Sequence, residues 1–215
     1  MPRTVTNKTS HLGRAGQFAA MAEILARGWN VAIPEVDVGD DVFVAQDDGS
    51  RLTRVQVKTS AAEPRGDGAW VSSTIKIPFA QLREDEAVPL TFAFAVWADA
   101  RWHFVVVSRT ALRERWYAFD RGRRGARERG EKLKGRPPLD AGADPDAVGV
   151  QFTLTERDVT AWGGMSFQEC RSWEVFELLM QPEPSPSTGA GPSSSPALRG
   201  ASGSESAPGS GRSGG

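Results

Sequence analysis

Gln56 and Lys58 stand two residues apart in Val55-Gln56-Val57-Lys58-Thr59, a run whose β-branched residues favour an extended strand. Side chains alternate across a strand, so the amide and the ammonium share one face. Upstream lie an acidic cluster, Asp37 to Asp41, and the two-residue hairpin signal Asp48-Gly49. With Asp48 and Gly49 at the tip of the turn, Asp47 pairs with Ser50, and counting back sets Asp41 across from Gln56. Opposed side chains in such a ladder have Cβ atoms roughly 5 Å apart. An acid, a neutral amide oxygen and a cation then form one polar patch, suited to hold a divalent metal and to orient a water beside a phosphate. Each signal alone reads as a solvated strand end or an ordinary turn; the joint spacing is what points to chemistry.

The elements that must position this patch follow from periodicity. A helix is expected from about Ser10 to Arg27, with Ser10 as N-cap and Gly28 as the stop. Ala15, Phe18, Ala19, Ala22, Leu25 and Ala26 recur at helical spacing and suggest its apolar face. Strands are expected at about 30–33, ended by Pro34, then 41–46 and 52–59. Val42 and Val44 would share a face with Val55 and Val57, while Phe43 and Ala45 lie on the other face with Asp41. Both faces carry apolar residues, as in a sheet covered on two sides. Further strands are expected at 70–77, 91–97, 102–107 and 151–155, with Asp99-Ala100-Arg101 as a hairpin connection. A short helix near 110–116, a helix start at Thr155-Glu156-Arg157-Asp158 and a closing helix at 172–179 complete the reading. The Trp residues, among them Trp97, Trp102, Trp116, Trp162 and Trp173, are expected to serve the core.

Composition bounds the function classes. The chain has 215 residues and a formal net charge of -1, so bulk charge argues neither for nor against nucleic acid. One cysteine, Cys170, excludes an internal disulfide framework and a multi-Cys zinc site. With His11 and His103 as the two histidines, a His-rich metal centre is not expected. His11 reads as a surface residue and Cys170 as buried and inert. Gly-rich segments lack the Gly-Lys-Ser/Thr ending of a phosphate-binding NTPase loop. No apolar leader or membrane-length run is visible, so a cytoplasmic protein with no membrane partner is expected. The domain is expected over 1–180. Residues 181–215 are almost all Pro, Ser, Gly and Ala, with Leu198 as the lone large aliphatic, and are expected to be disordered.

One segment differs in kind. Between Arg121 and Arg136 stand eight bases, Arg121, Arg123, Arg124, Arg127, Arg129, Lys132, Lys134 and Arg136, against Glu128 and Glu131. Eight minus two leaves six positive charges here and seven negative on the rest. Gly122, Gly125, Gly130 and Gly135 suggest a flexible loop at 121–136. Such a loop suits non-specific phosphate contacts through counterion release; the bland reading is a solvated insertion.

Gly13-Arg14-Ala15-Gly16-Gln17, the stretch Ala22 to Val31, Pro34, Asp41 and Val55-Gln56-Val57-Lys58-Thr59 occur in order. This succession resembles the PD-(D/E)XK nuclease superfamily, most of all its group I intron-associated branch with a Gln-x-Lys strand. The resemblance covers about residues 12–60. It implies an α/β fold, a mixed central sheet flanked by helices with an α-β-β-β-α-β core, and metal-dependent hydrolysis of DNA phosphodiesters. By that likeness Asp41 and Gln56 would hold Mg2+ (or Mn2+), and Lys58 would position the attacking water and stabilise the phosphate. DNA is the implied partner, and a homodimer would supply one site per strand. The helix glutamate usual in the family is Gln17 here, which leaves Asp41 as the one carboxylate assigned to the site. Gln17 would then act on the metal or its waters, and Asp37 is the best compensating acid. Three readings follow: a DNA endonuclease, a non-cleaving nucleic-acid binder of the same fold, and an interaction or defence component using the fold as scaffold.

Overall fold

Helix α1 spans Val5–Ala26 and closes in a Schellman arrangement. Gly28 N–H donates to the Leu25 carbonyl at 2.9 Å and Trp29 N–H to the Ile24 carbonyl at 3.4 Å. Gly28 takes φ 83°, the left-handed conformation that such a stop needs. The helix begins earlier than Ser10, which therefore lies inside it and is not its cap. No Pro or Gly stands between Val5 and Leu12 to halt a helix once started. The computed structural model describes residues 5–35, 41–46, 51–83, 89–132, 145–171 and 173–179. The expected turn at Asp48-Gly49 and the expected disordered tail at 181–215 fall outside these.

The protein is mixed α/β, with a mostly antiparallel sheet flanked by helices. Strands β1 (Asn30–Ala32), β2 (Val42–Ala45) and β3 (Leu52–Pro64) form an antiparallel meander. The β2–β3 register pairs Val42 with Val55 and Ala45 with Leu52, the pairing that a two-residue turn at 48–49 demands. Strand β3 runs on past its expected end, and its last three residues pair with β4 (Trp70–Ser72). The single strand expected at 70–77 is two, β4 and β5 (Ile75–Pro78), because the chain changes partners at Ser73-Thr74. After α2 (Phe79–Arg83) come β6 (Leu90–Ala98), parallel to β3, and β7 (Arg101–Ser108), antiparallel to β6. Their hairpin turns on Asp99 and Ala100 at φ 50° and 55°, so Arg101 belongs to the strand.

Helix α3 occupies Arg109–Glu128, with the Ser108 hydroxyl accepting the Ala111 N–H at 3.2 Å as its cap. It is far longer than the turn or two expected, and it takes up much of the segment read as a loop. Glycine costs a helix about 1 kcal/mol per residue, but packing offsets it. Trp116, Asp120 and Ala126 are buried, and Arg124 pairs with Asp120 at 3.5 Å across one turn. Strands β8 (Ala147–Val150) and β9 (Thr153–Leu154) follow; β8 pairs with β5 and β9 with β4. Thr155 does not start a helix. Its hydroxyl accepts the Arg157 and Asp158 N–H groups at 3.2 and 2.8 Å within a hairpin turn, after which β10 (Val159–Ala161) and β11 (Met165–Ser166) continue the sheet. The same side-chain bonds serve caps and turns, so the local signal does not separate the two. A 3-10 turn at Gln168–Arg171 leads to α4 (Glu174–Leu179). No helix among the described residues is long and apolar enough to cross a membrane.

Two cores lie on opposite faces of the β2–β3–β6–β7 sheet. Ala20 and Ile24 of α1 pack with Val42, Val44, Val55, Ala93 and Ala95, joined by Trp173 and Phe176. The other core joins Phe92, Phe94 and Val96 to Leu82, Leu112, Trp116 and Phe152. Trp116 and Trp173 are thus core residues, whereas Trp97 is exposed. The expected apolar face of α1 is also corrected: Phe18 and Leu25 are 53% and 52% exposed, and the buried side runs through Gly16, Gln17, Ala20 and Ile24. Gly16 is the reason. A Cβ there would press on the Thr59 side chain and lie 3.2 Å from the Ala95 Cβ, so only this small-residue side lets the helix approach the sheet.

Candidate active site

Strand β3 sets the site. Its odd-numbered residues, Val55 and Val57, join the core under α1. Gln56 and Lys58 pair with Phe92 and Phe94 of the opposite core, so they share the other face, as alternation requires. Gln56 is 3% exposed and Lys58 half-buried. Asp41 stands just before β2. Its N–H donates to the Val55 carbonyl at 3.2 Å, and its Oδ2 accepts the Val57 N–H at 2.7 Å. The carboxylate is thereby tied to the peptide between Gln56 and Lys58. This bond to a charged acceptor is of the stronger kind.

Helix α1 braces the same point from the other side. Gln17 Nε2 donates to the Asp41 carbonyl at 2.7 Å, and Arg14 Nη1 donates to Gln17 Oε1 at 2.6 Å. Gln17 is 7% exposed, so its amide spans the helix–sheet contact with both ends bonded. The structure therefore brings together Asp41, Gln17 and the Gln56-x-Lys58 strand, and adds Arg14, which the sequence reading did not single out. The signal for Arg14 was present: it precedes Gln17 by three residues, one helical turn. Thr59 completes the seat, its hydroxyl donating to the Gly13 carbonyl at 3.4 Å.

The remaining site residues fall elsewhere. Asp37, Lys134 and Arg136 lie outside the described residues. Arg121, Arg123, Arg124 and Arg127 lie on α3, and Arg129 and Lys132 follow it. Glu23 bonds Arg27 at 2.7 Å, away from the patch. His11 is exposed, and Cys170 is buried, its thiol pushed up by burial against the opposing charge of Arg115.

A metal ion held here would rest on these groups. Among the described residues no three of His, Cys, Asp and Glu cluster to hold one. Asp41 contributes one carboxylate, whose Oδ2 accepts the Val57 N–H. Magnesium is commonly bound by one or two carboxylates with substrate phosphates and water filling the rest. The set fits a weakly held ion completed by a phosphate, not a self-sufficient site.

Comparison with protein families and with curated proteins gives no match. Among solved structures, a bacterial homing endonuclease, I-Ssp6803I, aligns at 23% identity with a TM-score of 0.34. The alignment covers 46% of this chain and 64% of that one. A likeness of this size transfers no residue role.

Proposed function

We propose that the protein is a metal-dependent DNA endonuclease of PD-(D/E)XK type, with its chemistry at Asp41, Gln56 and Lys58. The observation that supports it is the Asp41 carboxylate bonded to the Val57 peptide, between an amide and an ammonium on one strand face. Asp41 and the Gln56 amide oxygen would hold Mg2+ or Mn2+. When bound, such an ion supplies Lewis-acid stabilisation of the phosphate and eases ionisation of water. Lys58 holds the attacking water and balances charge growing on the phosphate oxygens. Gln17 acts as a positioning residue: its bond to the Asp41 carbonyl keeps that residue in register. Helix α3 packs through Leu112 and Trp116 into the core on the Gln56 and Lys58 side of the sheet, and its bases attract the DNA backbone.

A second reading, a non-cleaving nucleic-acid binder, is favoured by the single carboxylate and by the Gln17 amide being bonded at both ends. Supercoiled plasmid with Mg2+ or Mn2+ separates the two. Nicking by the wild type that vanishes in Lys58→Ala, with an unchanged circular dichroism spectrum, supports the nuclease. Nicking that persists in Lys58→Ala removes the chemistry from this strand. DNA binding that survives EDTA without any nicking leaves the binder.

A further inference from the structure

A groove of about 560 Å³ opens between α3 and the β8–β11 region, away from the Asp41 patch. Phe119, Arg123, Trp162, Thr74, Gln151 and Thr160 line it. The Phe119 and Trp162 rings stack at 5.8 Å and 17°, and the Arg123 guanidinium lies 5.5 Å over Phe119. These set two stacked aromatic rings and a guanidinium side by side. Hydroxyl and amide groups stand around it.

Trp162 is held at a cost. It takes φ 50° in the turn joining β10 to β11, followed by Gly163 at 77° and Gly164 at 108°. A left-handed conformation in a bulky residue costs about 1–2 kcal/mol, and Gly or Asn would suit the turn better. The ring is pinned by a 2.8 Å bond from its Nε1 to the Gly149 carbonyl and by an edge contact with Phe167 at 5.6 Å. Strain retained around a fixed side chain beside a groove is a mark of a binding surface. The charge agrees: from Arg121 to Arg127 the helix carries four arginines and no acid. Arg127 is exposed, one turn beyond Arg123.

We infer that this groove binds an unpaired nucleotide of a single-stranded DNA segment, its base against the Trp162–Phe119–Arg123 cluster and its phosphates against Arg123 and Arg127. Flat rings and a guanidinium accept any base face, and duplex DNA keeps its base faces stacked away. An acidic peptide would match the arginines but not the rings. The inference rests on the nucleic-acid reading for its ligand class but on residues separate from Asp41, Gln56 and Lys58. It gives the nuclease a substrate class: DNA with a single-stranded flank.

The probe is 5′-fluorescein-labelled oligothymidine of about twelve nucleotides, followed by anisotropy at fixed salt. Relative to the wild type, Arg123→Gln and Trp162→Gly should weaken binding at least about tenfold. Trp162→Gly relieves the turn strain, and its circular dichroism is checked against the wild type. As a readout that needs no variant, a 5-iodouracil oligonucleotide irradiated on the wild type should cross-link at Trp162 or Phe119. Cross-linking elsewhere, equal binding by both variants, or equal affinity for blunt duplex or polyglutamate overturns the inference, as does absence of oligothymidine binding. Plasmid nicking without oligothymidine binding sinks the groove and leaves the nuclease. Oligothymidine binding with nicking that ignores Lys58 removes the chemistry from the Asp41 strand and leaves the groove; oligothymidine binding without any nicking sinks the nuclease and leaves the groove.

Discussion

Gly16→Ala tests how α1 is seated. The added carbon would meet the Thr59 Oγ1, lie 2.9 Å from Thr59 Cγ2 and lie 3.2 Å from the Ala95 Cβ. In an open helix the change is worth about 1 kcal/mol of added stability. Overpacking a close contact costs about 1–3 kcal/mol. Thr59 is branched at Cβ, so rotating it exchanges one heavy atom for another, and Ala95 is fully buried in the central strand β6. The clash outweighs the propensity, and a net loss of about 1 kcal/mol follows, a fall of about 2–4 °C in Tm for a unit of this size. Thr59→Ala removes both nearer atoms. In that background Gly16→Ala should be neutral or stabilising by up to about 1 kcal/mol. The coupling between the two sites is then about 1–2 kcal/mol, well above the scatter between independent positions. Urea melts of the four proteins, followed by far-ultraviolet circular dichroism, read it directly. Equal stabilisation by Gly16→Ala in both backgrounds would refute the seating of α1 on Thr59, and with it the approach that delivers Gln17 to Asp41.

Gln17→Glu removes the donor from a 2.7 Å bond and sets a carboxylate oxygen against the Asp41 carbonyl. It should cost about 1–3 kcal/mol in urea midpoints and lower any nicking rate; unchanged stability would show that the bond is not made. Ala100→Gly, at φ 55° in the β6–β7 turn, should stabilise by about 0.5–1 kcal/mol, because glycine enters this conformation without penalty but loses more entropy on folding. A lower Tm for that variant would contradict the turn geometry. Burial, then the charges of Arg101 and Arg171, hold His103 below its ordinary value of 6.5, against the Ala98 hydrogen bond and Asp99. The unfolded chain therefore takes up a proton near pH 6.5 that the folded protein accepts only at lower pH. Stability falls as pH drops through 6.5 toward the folded value and is unaffected above it. Between about pH 7.5 and about pH 5.5 the wild type should lose more stability than His103→Gln; parallel losses would remove His103 as the cause.

The site was legible where its geometry is local. Asp41 and the Gln56-x-Lys58 strand are linked through one short hairpin, so turn length and strand alternation suffice to set Val42 on Val55. The face of Gln56 and Lys58 likewise needs only a period of two. The family likeness sets Gln17 near a metal, but what it bonds, the Arg14 guanidinium and the Asp41 carbonyl, depends on how a helix meets a sheet. On α1, apolar periodicity favours a buried face with Phe18 and Leu25. The close approach at Gly16 favours the side with the smallest residues. The glycines of the basic segment suggest a loop; burial of Ala126 and Asp120 makes it helix through Glu128. Thr155 offered the same hydroxyl to a cap or a turn, and the pairing of β9 with β10 chose the turn.

By itself, then, the sequence determined the β2–β3 register, the shared face of Gln56 and Lys58, the Gly28 helix stop and the position of Asp41 beside that strand. These rest on backbone periodicity and on residues near one another in the chain. Only the tertiary structure decided which side of α1 is buried, how far α3 runs, and that Arg123, Phe119 and Trp162 stack beside one groove. Those outcomes depend on contacts between distant segments, where packing and burial outweigh local propensities of about 1 kcal/mol or less per residue.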